Sequence, residues 1–132
     1  MTICHEAQSI ILVPNFGNIL LELDDSLAPK TVSMLLKKLP LGLGAHVWGK
    51  EIYTDPAPFS AEPENAKDVV ELYDVGFWPP GNAICLFYGP TPIGKKGQIT
   101  PYSPVNIIGK ILTPNEKVLE RIFDEKITMM KS

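Results

Sequence analysis

Thirteen of the 132 residues are proline, and they concentrate between the segments that carry a hydrophobic period. Proline lacks the N–H that a helix interior or a central strand needs, so it belongs at element starts, edges and turns. The chain is therefore restricted to short strands and helices separated by long loops. Residues 8–13 and 18–23 predict two strands joined by the turn-forming cluster Pro14-Asn15-Phe16-Gly17. In the second, Ile19, Leu21 and Leu23 alternate with Leu20 and Glu22, whereas Ile10-Ile11-Leu12-Val13 reads as a strand buried on both faces.

Two helices are expected. Asp24, Asp25 and Ser26 place acids and a capping side chain before the first, Pro29 suits its first turn, and Pro40 stops it. Val32, Leu35, Leu36 and Leu39 recur at helical spacing and make one apolar face. Thr113-Pro114-Asn115-Glu116 fits a capping box for a second helix of about three turns, with Val118, Leu119, Ile122 and Phe123 facing inward. Between them, residues 46–54, 69–73, 83–88 and 105–112 read as strands, followed by a last one at 126–130. The expected fold is mainly β with two helices: a closed antiparallel barrel capped by both, forming one domain over residues 1–132.

Composition narrows the function classes. A chain with 45 % hydrophobic and 20 % charged residues is globular rather than disordered. The net charge of −3 and scattered lysines, close only at Lys37–Lys38 and Lys95–Lys96, argue against a nucleic-acid partner. No apolar run approaches the ~18 residues of a membrane helix. The opening Met1-Thr2-Ile3-Cys4-His5-Glu6 lacks a basic stretch leading into an apolar run, so a cytoplasmic protein with reduced thiols is expected. Cys4 and Cys85 belong to no C-x-x-C pattern, and spacing alone does not pair them. Together with His5 and His46 they match no zinc-site spacing, so no metal is expected. No other cofactor is expected either: Gly94-Lys95-Lys96-Gly97 lacks the Walker spacing and reads as a solvated loop.

Certain residues carry more than their period. Gly17-Asn18-Ile19-Leu20-Leu21-Glu22-Leu23, followed by Ala28-Pro29-Lys30-Thr31-Val32, resembles the opening strand and first helix of cyclophilins. Val105-Asn106-Ile107-Ile108-Gly109-Lys110-Ile111 resembles a strand near that family's C-terminus, and the two occur in the right order. The middle of the chain resembles a group of short bacterial and archaeal cyclophilin-like proteins of unassigned function. Its markers are Trp48-Gly49-Lys50-Glu51-Ile52-Tyr53 and the long run from Gly76 to Pro92, which contains Trp78-Pro79-Pro80-Gly81-Asn82.

The resemblance implies a cyclophilin-like barrel and raises the question of prolyl isomerase activity. In cyclophilins an arginine fork on a barrel strand assists rotation about an amide whose barrier is ~18–20 kcal/mol. The only arginine here is Arg121, expected on the second helix, and the strand that would carry the catalytic arginine reads Lys50-Glu51-Ile52-Tyr53-Thr54. By the same resemblance Thr100 falls near the family's pocket tryptophan, Val105 near its histidine, and Cys85 or Leu86 near its glutamine. Efficient isomerisation by the usual route is not expected.

The candidate ligand-binding residues are Glu51, Tyr53, Trp78, Asn82 and Tyr88. Glu51 and Tyr53 share one face of a strand, where a carboxyl and a phenol suit a polar ligand or proton transfer. The plainer expectation for Glu51 is an exposed carboxylate paired with Lys50 or another lysine. Trp78 and its prolines suit the wall of an apolar or peptide site, with Asn82 orienting the ligand; alternatively Trp78 packs a loop and Gly81-Asn82 form a turn. Three functions follow as expectations. One is a non-catalytic module for a small molecule or peptide. Another is a diverged enzyme, either a weak isomerase or a small-molecule enzyme using Glu51 as acid or base. The third is a structural subunit whose aromatics form an oligomer contact.

Overall fold

A computed structural model describes residues 6–13, 17–113, 115–122 and 124–131, the first of these segments by its backbone. The strands are β1 (Glu6–Val13), β2 (Gly17–Asp24), β3 (Leu41–Trp48), β4 (Glu51–Thr54), β5 (Asp74–Trp78), β6 (Ala83–Phe87), β7 (Asn106–Ile111) and β8 (Glu125–Lys131). Helix α1 (Pro29–Lys38) precedes β3, and α2 (Glu116–Leu119) precedes β8. The mainly β character with two helices agrees with the sequence. Among the described residues, no helix is long and apolar enough to cross a membrane.

The expected closed barrel needs correction. The sheet is an open half-barrel whose edges stand 9 Å apart, about two strand spacings and too wide for one ladder to span. The strands follow the order β1-β2-β7-β5-β6-β4-β3-β8. Strand β1 alone is in register with both ends, along eight positions of β2 and four of β8.

Alternation sets the core. Ile19, Leu21 and Leu23 on β2 meet Ile52 of β4, Phe77 of β5 and Ile84 of β6 on the concave side, all fully or almost fully buried. Burying each such side chain contributes ~1.5–3 kcal/mol. Val32 and Leu35 of α1 add to this core, as does Leu119 of α2. Strands β5 and β6 are buried on their other face too, because Ala83, Cys85 and Phe87 lie under Val70 and Val105 in a second, smaller cluster. That outer layer is what creates a site.

Several local expectations change. Helix α1 begins at Ala28 with no cap from its own residues; Ser26 turns its N–H back to Asp24 Oδ1 instead (2.9 Å). The cap comes from the distant Glu64, whose carboxylate accepts from the Lys30 N–H (3.2 Å), the Thr31 N–H (2.8 Å) and the Thr31 hydroxyl (2.6 Å). Burial opposes ionisation of Glu64, but the bonds from Thr31 and Lys30 outweigh it and hold its carboxyl below the usual range. The buried Asn106 anchors the same loop: its amide donates to Thr31 Oγ1 and the Glu62 carbonyl (both 3.0 Å) and accepts from the Glu64 N–H (2.8 Å).

Helix α2 has four residues rather than three turns, and its cap is Asn115, which accepts from the Val118 N–H. Thr113 instead accepts from the Leu20 N–H on β2 (3.1 Å). Residues 69–73 form no strand: Val70 bridges to Ile99 in another loop, Tyr73 bonds through its N–H to the Phe87 carbonyl (2.7 Å) and through its carbonyl to the Ile111 N–H (2.9 Å), and the strand starts at Asp74. Residues 46–54 are a hairpin rather than one strand. Among the described residues the cis peptide bond is Leu39–Pro40. The predicted turn at Pro14-Asn15-Phe16, the inward Phe123, the proline at 114, the side chains of Ile10-Ile11-Leu12-Val13, and Cys4 and His5 lie outside the described residues.

Candidate functional site

The β3–β4 hairpin turns through Gly49 and Lys50, which sets Trp48 directly across from Glu51. The loop after β6 holds that turn in place, as the Lys50 N–H donates to the Pro90 carbonyl (2.9 Å) and the Tyr88 N–H to the Lys50 carbonyl (3.0 Å). Because Ile52 points into the core, its neighbours Glu51 and Tyr53 point outward. Strand β6 pairs with β4 and places Cys85 opposite Tyr53. Trp78, at the end of β5, folds its ring over the Pro79–Gly81 turn so closely that a Cβ on residue 81 would collide with it. Gly81 therefore has a packing reason to be glycine.

These elements surround an open cavity of about 400 Å³ on the outer face of the half-barrel, lined by Trp48, Glu51, Tyr53, Trp78, Cys85 and Tyr102, with Ala83, Pro101 and Val105 completing it. The Tyr102 ring stands between the two tryptophans, 6.1 Å from Trp48 and 5.9 Å from Trp78, nearly perpendicular to both. The indole N–H of Trp78 is committed to Ser103 Oγ (2.6 Å). Tyr102 is 73 % exposed and forms the rim.

Glu51 lies at the base of the cavity. It is only 6 % exposed, and its Oε1 is buried without a hydrogen-bond partner. The expectation of an exposed, lysine-paired carboxylate is therefore corrected: the stem of Lys50 packs against Gly89, and no lysine or arginine among the described residues lines the cavity. Burial pushes the Glu51 carboxyl up to about 7, an effect the neighbouring Cys85 thiol only partly offsets. Burial, with Glu51 adding to it, holds Cys85 far above the usual thiol range, so it is a neutral thiol.

Of the five candidate residues, Glu51, Tyr53 and Trp78 converge on the cavity, while Asn82 and Tyr88 do not line it. Asn82 closes the short turn after Trp78 with a left-handed backbone (φ 52°), and its carbonyl accepts from the Ala57 N–H (2.8 Å). Tyr88 packs on the main core. Trp48, Pro101 and Tyr102 were not among the candidates. The resemblance to cyclophilins put Val105, and either Cys85 or Leu86, near pocket positions: Val105 and Cys85 line the cavity, while Leu86 lies in the core and Thr100 is replaced in the lining by the two residues after it. Arg121 is exposed just beyond α2 and outside the cavity.

His46, beside the cavity, has its own arrangement. Its Nε2 lies 2.6 Å from Asp55 Oδ1 and its Nδ1 3.0 Å from Asp124 Oδ1, while its ring packs 5.3 Å from Tyr53. The carboxylates sit at the two opposite ring nitrogens, so they do not converge on a point where an ion could sit. Hydrogen bonding to Asp55, then to Asp124, raises the His46 pKa above 6.5. The protonated ring therefore stabilises the fold fully below that value, and the contribution disappears as pH rises through the raised one. These groups are substantially exposed, so the effect is under about 1 kcal/mol. Urea unfolding at pH 6 and pH 9 should show His46→Gln losing its deficit relative to wild type at the higher pH. An equal deficit at both would rule the linkage out.

No curated protein matches the chain. The solution structure of a hypothetical protein from Archaeoglobus fulgidus is similar, at 38 % identity and a TM-score of 0.80, covering 96 % of this chain and 95 % of that one. The family model for cyclophilin-like proteins matches residues 8–130. With that model spanning nearly the whole sequence, the chain belongs to the cyclophilin-like family.

Proposed function

We propose that the protein is a binding module that takes a small organic ligand into the cavity between Trp48, Trp78 and Tyr102, with Glu51 as its polar anchor. The observation that carries this reading is the unpartnered Glu51 Oε1, buried beneath an apolar, aromatic hollow. Leaving such an atom unsatisfied costs about 1–3 kcal/mol, a deficit that a bound ligand's donor removes. Aromatic walls around few polar groups are the usual form of a small-molecule site.

The only two tryptophans of the chain both line the cavity, so their indole N–H resonances and fluorescence report on it directly. Titration with 2-phenylethanol, a neutral probe with an apolar body and one hydroxyl, should shift both indole signals and raise the melting temperature. Tyr102→Ala should weaken that response severalfold. Unchanged indole signals at millimolar probe would refute the reading.

The cavity does not resemble an isomerase groove in its chemistry. A carboxyl occupies the strand where the family's arginine is expected, and Arg121 lies elsewhere. We therefore expect the cis–trans rate of a proline peptide in the presence of the protein to equal the uncatalysed rate. Turnover that vanishes with Arg121→Ala would overturn this.

A further inference from the structure

Resting on that reading of the cavity, we infer that its ligand is an organic ammonium ion, held with its positive charge against Glu51 and its carbon body between the aromatic rings. Among the described residues Glu51 is the one side chain in the lining that ionises near neutral pH, and none that lines the cavity with it is cationic. A buried carboxylate is stable only when a cation or several donors face it. Among the described residues none reaches Oε1, and the one titratable neighbour, Cys85, is a neutral thiol that only partly offsets burial, so the charge that would hold Glu51 ionised is the ligand's.

The walls agree with this. Two tryptophans and two tyrosines present rings whose quadrupoles attract cations, most strongly for indole. They offer little to an anion: the Trp78 N–H is already bonded to Ser103, and Glu51 repels negative charge. A neutral ligand would satisfy Oε1 with a weaker bond and leave the ionised carboxylate without a countercharge. Charge-assisted hydrogen bonds are about twice as strong as neutral ones.

Three probes of one shape separate the outcomes: phenethylammonium, neutral 2-phenylethanol and anionic 3-phenylpropanoate. At pH 8 phenethylammonium should bind about tenfold or more tightly than 2-phenylethanol, and 3-phenylpropanoate not measurably. With the carboxyl titrating at about 7, ammonium affinity should rise about 50- to 100-fold from pH 5 to pH 8 and then level off. Calorimetry at pH 6 in buffers of different ionisation heat should show close to one proton released per ligand. Glu51→Gln should abolish the pH dependence and the proton release while still unfolding cooperatively.

Nα-acetyl-lysine amide carries the same ammonium on a peptide backbone. Tighter binding of it than of phenethylammonium would make a lysine side chain the source of the charge, and weaker binding a free amine. The inference fails if 2-phenylethanol binds as tightly as the ammonium, or if ammonium affinity falls with pH. That result would leave the cavity as a binding site for neutral molecules. If none of the probes moves the tryptophan signals, the binding reading itself fails.

Discussion

Replacing Glu51 with glutamine should stabilise the protein by about 2 kcal/mol at pH 8 and destabilise it by about 1 kcal/mol at pH 4. The reason is the carboxyl's burial. At pH 4 it is mostly protonated in both the folded and the unfolded chain, so its titration contributes little. As pH rises past 4.5 the unfolded carboxyl ionises while the folded one keeps its proton, and stability falls. The fall is complete once pH exceeds about 7, where the folded carboxyl ionises as well. One pKa unit corresponds to 1.36 kcal/mol, so this shift amounts to about 3 kcal/mol. Glutamine escapes that penalty but brings an amide whose extra donor finds no partner, which takes back about 1 kcal/mol. The variant should therefore melt about 7 °C higher than wild type at pH 8. The order should reverse at acid pH. A Glu51→Gln protein no more stable than wild type at pH 8 would mean the carboxyl is not desolvated, and the case for an anchored ligand would weaken with it.

The same residue shows where the sequence could and could not be read. That Glu51 and Tyr53 share a face followed from strand alternation alone. That Glu51 is buried did not, because Pro101 and Tyr102, which line its cavity, lie some fifty residues away and in no periodic segment. The two odd motifs were the useful signal. Trp48-Gly49-Lys50-Glu51-Ile52-Tyr53 forms the β3–β4 hairpin, the run from Gly76 forms β5 and β6, and both converge on one cavity. Trp48 was visible in the first motif, but only the two-residue turn puts it opposite Glu51.

Local signals misled where a distant group did the local work. The acids before α1 looked like its cap, yet Glu64 reaches across 33 residues to Thr31 to supply it. Thr113-Pro114-Asn115-Glu116 looked like a capping box led by Thr113. However, Leu20 on β2 takes the threonine hydroxyl, and the cap passes to Asn115. Periodicity found the strands but not whether the sheet closes, since closure depends on how the first strand sits between two others. In the strand that resembles cyclophilins near the C-terminus, Lys110 pairs with the exposed Glu71 (2.9 Å) and the buried Asp74 (3.4 Å). Its glycine neighbour has a stronger constraint.

Gly109→Ala should destabilise the protein by about 4 kcal/mol or more, enough to leave a marginal domain largely unfolded at 37 °C. Gly109 lies where three strands meet, paired with Leu23 of β2 on one side and Val75 of β5 on the other. A Cβ at this position would drive into the Glu22 carbonyl and the Leu23 Cα. Both are backbone atoms of a strand, so no rotamer change relieves the clash and β2 must move away. The β2–β7 ladder has three partner pairs, so displacing one threatens the seam as a whole. In a half-barrel that loss is not confined, because β1 is paired along its whole length with the same β2. Gly42→Ala on β3 is the control, since its Cβ would meet the flexible end of Lys126; it should change stability by less than about 1 kcal/mol. Thermal unfolding followed by circular dichroism distinguishes the two. Equal melting temperatures for Gly109→Ala and Gly42→Ala would show that β2 and β7 do not approach as closely as this seam requires.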